Sequence, residues 1–185
     1  MKCLNHLKPF FLLSVIVSAF FVAPVGAQTA AELSQRSRHA LNQLCAQNPA
    51  AARLRRSAVG ILVFPDILKA GFIFGAQHGE GALFEGGRAV RYYRTSAASY
   101  GFQAGVQKFG YALFLMNSGD LNYLHKTDGW EFGSGPSIVI VDQGMARTLS
   151  TTTLQKGVYA FTFDQQGLMA GLGLQGSKIT PYTPH

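Results

Sequence analysis

GFIFGAQHGEGALF (71–84) returns thirty residues later as GFQAGVQKFGYALF (101–114). Gly71 and Gly101, Phe72 and Phe102, Gly75 and Gly105, Gln77 and Gln107 fall in step, as do the Ala-Leu-Phe endings at 82–84 and 112–114. Repeated glycines fit three structures: a phosphate-cradling loop, the dimer face of a membrane helix, or strands that bend and pack closely. A phosphate loop needs its glycines between a strand and a helix N-terminus. GLGLQG (171–176) has the G-x-G-x-x-G spacing, but SKITPYTPH follows it and its two prolines leave no helix. GSGPS (133–137) fails in the same way. The G-x-x-x-G spacings at 71–75, 101–105 and 167–171 lie outside any apolar stretch of twenty residues, which removes the membrane-helix reading. Strands remain. Glycines four apart on one strand face one side, so 71 with 75 and 101 with 105 predict two equivalent, strongly curved strands. On this reading Gly75 and Gly105 are close-packing positions, Gly133 and Gly135 lie in a loop, and the repeat is architectural.

The surrounding chain agrees. VGILVF (59–64), AVRYYR (89–94), YALFLM (111–116), SIVIVD (137–142) and VYAFTF (158–163) are short runs of β-favouring residues with glycine or polar punctuation. No helical crossovers separate them, so the sheet is expected to be mainly antiparallel. Residues 30–47 read as a helix with Leu33, Ala40, Leu41 and Leu44 on one face, and 50–56 as a second short helical piece. SGDLNYLHKTDG (118–129) reads as one more helix, capped by Ser118 and closed by Gly129. The expected fold is α+β: a curved, glycine-rich, half-barrel-like antiparallel sheet with an N-terminal helix and one short covering helix.

Residues 1–27 have the layout of a cleaved export signal: Lys2 and Lys8, an apolar run from 10 to 23, then Val25-Gly26-Ala27. The expected organisation is therefore a leader (1–27), a helical segment (28–56) and a β domain (57–185). Cys3 precedes the apolar run and is not placed for lipid attachment. The part beyond the leader keeps only Cys45, expected to be buried on the helical apolar stripe, so it forms no internal disulfide. Without Lys2 and Lys8 the chain carries 14 basic and nine acidic residues, an excess of +5. That favours an anionic partner, and in an exported protein anionic lipid or a cell-surface polymer rather than nucleic acid.

Catalytic patterns are absent. There is no G-x-S-x-G elbow, no H-E-x-x-H and no paired C-x-x-C. His78 and Glu80 share a strand face but lack a third ligand, so no metal or other cofactor is expected. Asp120, Asp128 and Glu131 around Trp130 have the composition of a sugar-hydrolysing acid pair, yet capping and turn formation account for Asp120 and Asp128 equally well. The sequence reads as a non-enzyme.

GILVFPDILKAGF (60–72), the Tyr pair at 92–93, SYGFQAG (99–105), DGWEFG (128–133), TLSTTTLQKGVYAF (148–161) and GLMAGLGLQGSKIT (167–180) together resemble the SYLF domain. This is a lipid-binding and actin-regulator module of endocytic proteins, with exported forms in bacteria. The resemblance spans about 57–181. It implies binding to anionic phospholipid without catalysis, through a basic amphipathic segment that corresponds here to 30–56. It does not extend actin bundling to an exported chain.

The candidate lipid-binding residues are Arg53, Arg55 and Arg56 beside the amphipathic helix, with Lys69, Arg88, Arg91 and Arg94 on the strands and turns that follow. Period-two alternation puts Arg91 and Arg94 on opposite faces. Two alternatives stand beside lipid. Tyr92, Tyr93, Tyr100 and Tyr111 could form an exposed aromatic patch for an envelope protein partner, and a concave apolar pocket would mark a carrier of a small apolar ligand.

Overall fold

The computed structural model describes residues 28–71, 74–100, 105–128, 130–131, 136–141, 157–167 and 177–185. The leader and Gly101, Gly129, Gly133 and Gly135 lie outside them. α1 (Ala30–Gln47) starts at a capping box in which Thr29 and Glu32 each accept from the other's backbone N–H. It buries Leu33, Ala40, Leu41 and Leu44, the face expected from their spacing, with Ser37 between them. Asn48 ends α1 and caps α2 (Pro49–Ser57), where Pro49 takes the position whose missing N–H costs nothing.

The sheet has eight strands: β1 (Gly60–Gly71), β2 (Phe74–Glu85), β3 (Arg88–Tyr100), β4 (Gly105–Leu115), β5 (Trp130–Glu131), β6 (Ile138–Ile140), β7 (Val158–Gly167) and β8 (Lys178–Tyr182). Their order is β5-β8-β3-β2-β1-β4-β7-β6, and every pair is antiparallel except β6 with β7. The sheet curls into a half-barrel. Strands β1 to β4 run 11 to 13 residues, twice the length of the apolar runs that announced them. The runs end where each strand leaves the core, but the ladder continues through polar and glycine positions. β5 and β8 carry no run at all. Pro181 is tolerated because only the two-residue β5 lies beyond β8.

Register explains the repeat. β2 and β4 are the two flanks of β1, and the copies meet it in step. Val63-Leu62-Ile61 faces both Ala82-Leu83-Phe84 and Ala112-Leu113-Phe114; Lys69 faces both Gln77 and Gln107; Gly71 faces both Gly75 and Gly105. The equivalent strands read from the repeat are therefore present. One detail is corrected: Gly71 ends β1 and Gly75 belongs to β2, so they are cross-strand partners rather than neighbours on one strand. Gly105 is corrected too. A Cβ there would meet nothing within 4 Å, and what favours glycine is its φ of 144°. Close packing falls on Gly71, where a Cβ would meet the Gly75 Cα at 2.5 Å, and on glycines the repeat does not share, Gly81 against the Val63 carbonyl and Gly110 against the Phe163 ring.

Two apolar layers sandwich the sheet. On one face α1 and α2 cover Ile61, Val63, Phe84, Phe114 and Phe161. On the other, Leu62, Phe64, Leu83, Tyr93, Phe109 and Leu113 pack with Leu121 and Leu124 of α3 (Ser118–Lys126) and with Trp130. α3 is capped by Asn117, whose side chain accepts from the Asp120 N–H at 2.9 Å, and not by Ser118. Its last turn closes at Thr127 in an extended conformation.

Candidate membrane-contact surface

α2 presents the arginine cluster. With Ala50, Ala51 and Leu54 buried, Arg55 and Arg56 stand in solvent and Arg53 is half-buried. Arg55 and Arg56 sit in the last turn, where cations complement the helix dipole, and Arg55 donates to the Asn42 side chain at 2.8 Å. Cys45 lies beside Arg55 and is half-buried rather than buried. Desolvation pushes its thiol up, outweighing the hydrogen bond from Arg55, so the reactive thiolate is disfavoured.

The other candidates do not join that cluster. Lys69 is 7% exposed between Gln77 and Gln107, each 4% exposed, on the face away from α1. Gln77 donates to Ser177 at 3.4 Å, while the buried Gln107 side-chain oxygen meets no hydrogen-bond donor among the described residues. Arg88 is exposed beside the Gly86-Gly87 turn. Arg91 donates to the His125 carbonyl at 2.9 Å, and His125 meets Glu85 at 2.8 Å, which ties β3 and β2 to α3. Arg94 pairs with Glu80 at 3.3 Å and lies over the Tyr182 ring at 4.4 Å. Arg91 and Arg94 do face opposite sides.

Between α1 and the sheet runs a belt of charge that the sequence reading missed. Asp66 of β1 accepts from Arg36 of α1 and from Lys108 of β4, the latter at 2.7 Å. Burial alone would raise the Asp66 carboxyl, but the hydrogen bonds from Lys108 and Arg36 outweigh it and hold it below its ordinary value. Glu80, Arg94 and His78, 3.8 Å from Glu80, continue the belt. A cleft of about 1000 Å³ opens here, lined by Glu32, Asp66, Leu68, His78 and Lys108. The one clue in the sequence was a lone acid inside an apolar strand, FPDIL (64–68).

The charges of this arrangement pair with one another; among the described residues there is no group of three His, Cys, Asp or Glu side chains that could take a metal. Asp120 is occupied in capping α3, where Asn117 also donates to its carboxylate at 2.6 Å. Tyr93 and Tyr111 are core residues and the Tyr92 hydroxyl meets Ser34 at 2.9 Å, so these three form no exposed aromatic patch. Among the described residues no helix is long and apolar enough to cross a membrane.

No curated protein matches the chain. A family model does: that of Ysc84, described as Las17-binding protein actin regulator, matches residues 96–184, just under half of the 185. The match begins in β3 and takes in β4, α3 and β5 to β8, so it is narrower than the 57–181 over which the sequence resemblance runs. Such a domain implies lipid or protein binding in general.

Proposed function

With residues 96–184 belonging to the Ysc84 (SYLF) family, we propose that the protein binds anionic phospholipid at a membrane surface and performs no chemistry there. It does so as an exported, periplasmic protein, peripheral on its membrane, after loss of the leader. The observation that carries this reading is the charge of the helical segment. From residue 33 to residue 65 the chain holds Arg36, Arg38, Arg53, Arg55 and Arg56 and not one carboxylate. Each such cation near an anionic leaflet contributes about 1 kcal/mol, so several together give weak, salt-sensitive adsorption. The rival is a protein partner, in keeping with the family's description as Las17-binding. Tyr92, Tyr93 and Tyr111, which would have supplied an exposed aromatic patch for it, are core or hydrogen-bonded residues. The carrier reading is weaker still, because the sheet face opposite α1 is filled by its own side chains.

Flotation of the exported protein with vesicles tests the proposal. Recovery is expected with phosphatidylcholine–phosphatidylglycerol vesicles at low salt, and little with phosphatidylcholine alone. Equal recovery on both would sink it.

A further inference from the structure

The arginines of this chain are held in two ways. Arg36 and Arg94 pair with Asp66 and Glu80, so their charge is neutralised inside the molecule. Arg38 and Arg55 are held by neutral groups. Arg38 donates to the Gly87 carbonyl at 2.8 Å, and its guanidinium lies over the Phe84 ring at 5.1 Å. Arg55 donates to the Asn42 side-chain oxygen at 2.8 Å and also hydrogen-bonds the Cys45 thiol. Both arginines are exposed, as are Asn42 and Arg56. Each of the two guanidiniums is thus fixed in place, yet keeps its full charge and most of its N–H donors.

Asn42 adds donors to this surface. Arginine has no acceptor, so the Asn42 oxygen must face Arg55 and its NH2 group turns away from it. Arg38, Asn42 and Cys45 share one stripe of α1, and Arg55 reaches that stripe from α2. Arg38 and Asn42 are four residues apart, about 6 Å along the helix axis. The helical residues 33–57 bring no carboxylate to the surface. Glu85, the acid nearest Gly87 in the sequence, meets His125 of α3 on the opposite face of the sheet. A phosphodiester offers acceptors and a negative charge, which is what a surface of fixed donors and unneutralised guanidiniums complements.

We propose that Arg55 and the Asn42 amide form a phosphate site for the headgroup of an anionic lipid in a bilayer, with Arg38, one turn along α1, meeting a neighbouring headgroup. The inference rests on the lipid reading above and names its contact within the helical segment. It also sets the mode of contact. Leu33, Leu41, Leu44 and Leu54 stay packed on the sheet, so α1 and α2 meet the headgroups with their polar side and insert no apolar face. Arg56, exposed in the same turn of α2 as Arg55, adds charge at the rim.

Vesicle partitioning of the exported protein tests this, with thermal melts to confirm folding. Asn42→Asp keeps an acceptor for Arg55 but neutralises it where the phosphate would sit. Asn42→Asp and Arg38→Gln are each expected to weaken binding to phosphatidylcholine–phosphatidylglycerol vesicles about fivefold. Lys126→Gln, which removes one exposed cation at the end of α3 on the other side of the sheet, leaves binding intact. Free glycerol phosphate, matched in concentration to the lipid phosphate, also leaves it intact; displacement by it would mark a site for a soluble phosphate and overturn the inference. Wild-type binding that survives Asn42→Asp and Arg38→Gln but is lost in Arg53→Gln/Arg56→Gln overturns the inference and leaves the lipid reading standing. A wild type that binds no vesicle overturns both. Two variants are used so that misfolding of one leaves the other to decide.

Discussion

The closest approach in the sheet is at single glycines. At Gly81 a Cβ would fall on the Val63 carbonyl and the Phe64 ring, and the carbonyl belongs to a paired backbone that cannot yield. At Gly110 the obstacle is the Phe163 side chain, on the outer β7, which can swing. Gly81→Ala is therefore expected to lower stability by about 2–3 kcal/mol and Gly110→Ala by less, read as denaturant midpoints at constant slope. Equal effects would show that the sheet relaxes around either. Neither position was legible in the repeat, whose matched glycines include one close approach, Gly71 against Gly75, and one open position, Gly105. Gly75 and Gly105 announce themselves by spacing; Gly81 and Gly110 matter because of the Val63 backbone and the Phe163 ring, which come from other strands. Lys69 was misjudged for the same reason. Its charge suggested solvent, while its register between Gln77 and Gln107 buries it.

Among elements, α1 was the most readable because its apolar spacing and capping box are local signals, and the buried face is the one expected. How α1 attaches to the sheet was not readable, since Arg36, Asp66 and Lys108 are brought together only by the fold. That junction has a pH signature. Burial alone would raise the Asp66 carboxyl, but Lys108 and Arg36 outweigh it and hold it below its ordinary value in the folded protein. A depressed carboxylate stabilises the fold fully above its unfolded value, and the stability is lost as pH falls through the folded one. Melting temperature should thus fall more steeply in acid for the wild type than for Asp66→Asn. At neutral pH the substitution should cost about 0.5–1 kcal/mol, the discounted worth of a half-exposed, water-screened pair. If the two proteins melt alike at every pH, the junction contributes nothing to holding α1.

At the scale of the whole molecule, the half-barrel has a helix-covered body and a belt of paired charge between α1 and the sheet. The sequence reading placed membrane contact on the arginines of 53–56 because charge is visible in one dimension. The belt is assembled from α1, β1, β2, β3 and β4, and only the fold brings Arg36, Asp66, Lys108, Glu80 and Arg94 together. The most direct test of the lipid reading places a reporter on α2, beside Arg55 and Arg56. Trp130 is the only tryptophan and is buried, so it gives a constant background. In a Ser57→Trp variant, at an exposed position that ends α2, emission should shift to the blue on adding phosphatidylglycerol-containing vesicles at low salt and stay fixed with phosphatidylcholine alone. Emission that stays unshifted while the vesicles carry the protein would contradict membrane contact through the basic helical segment.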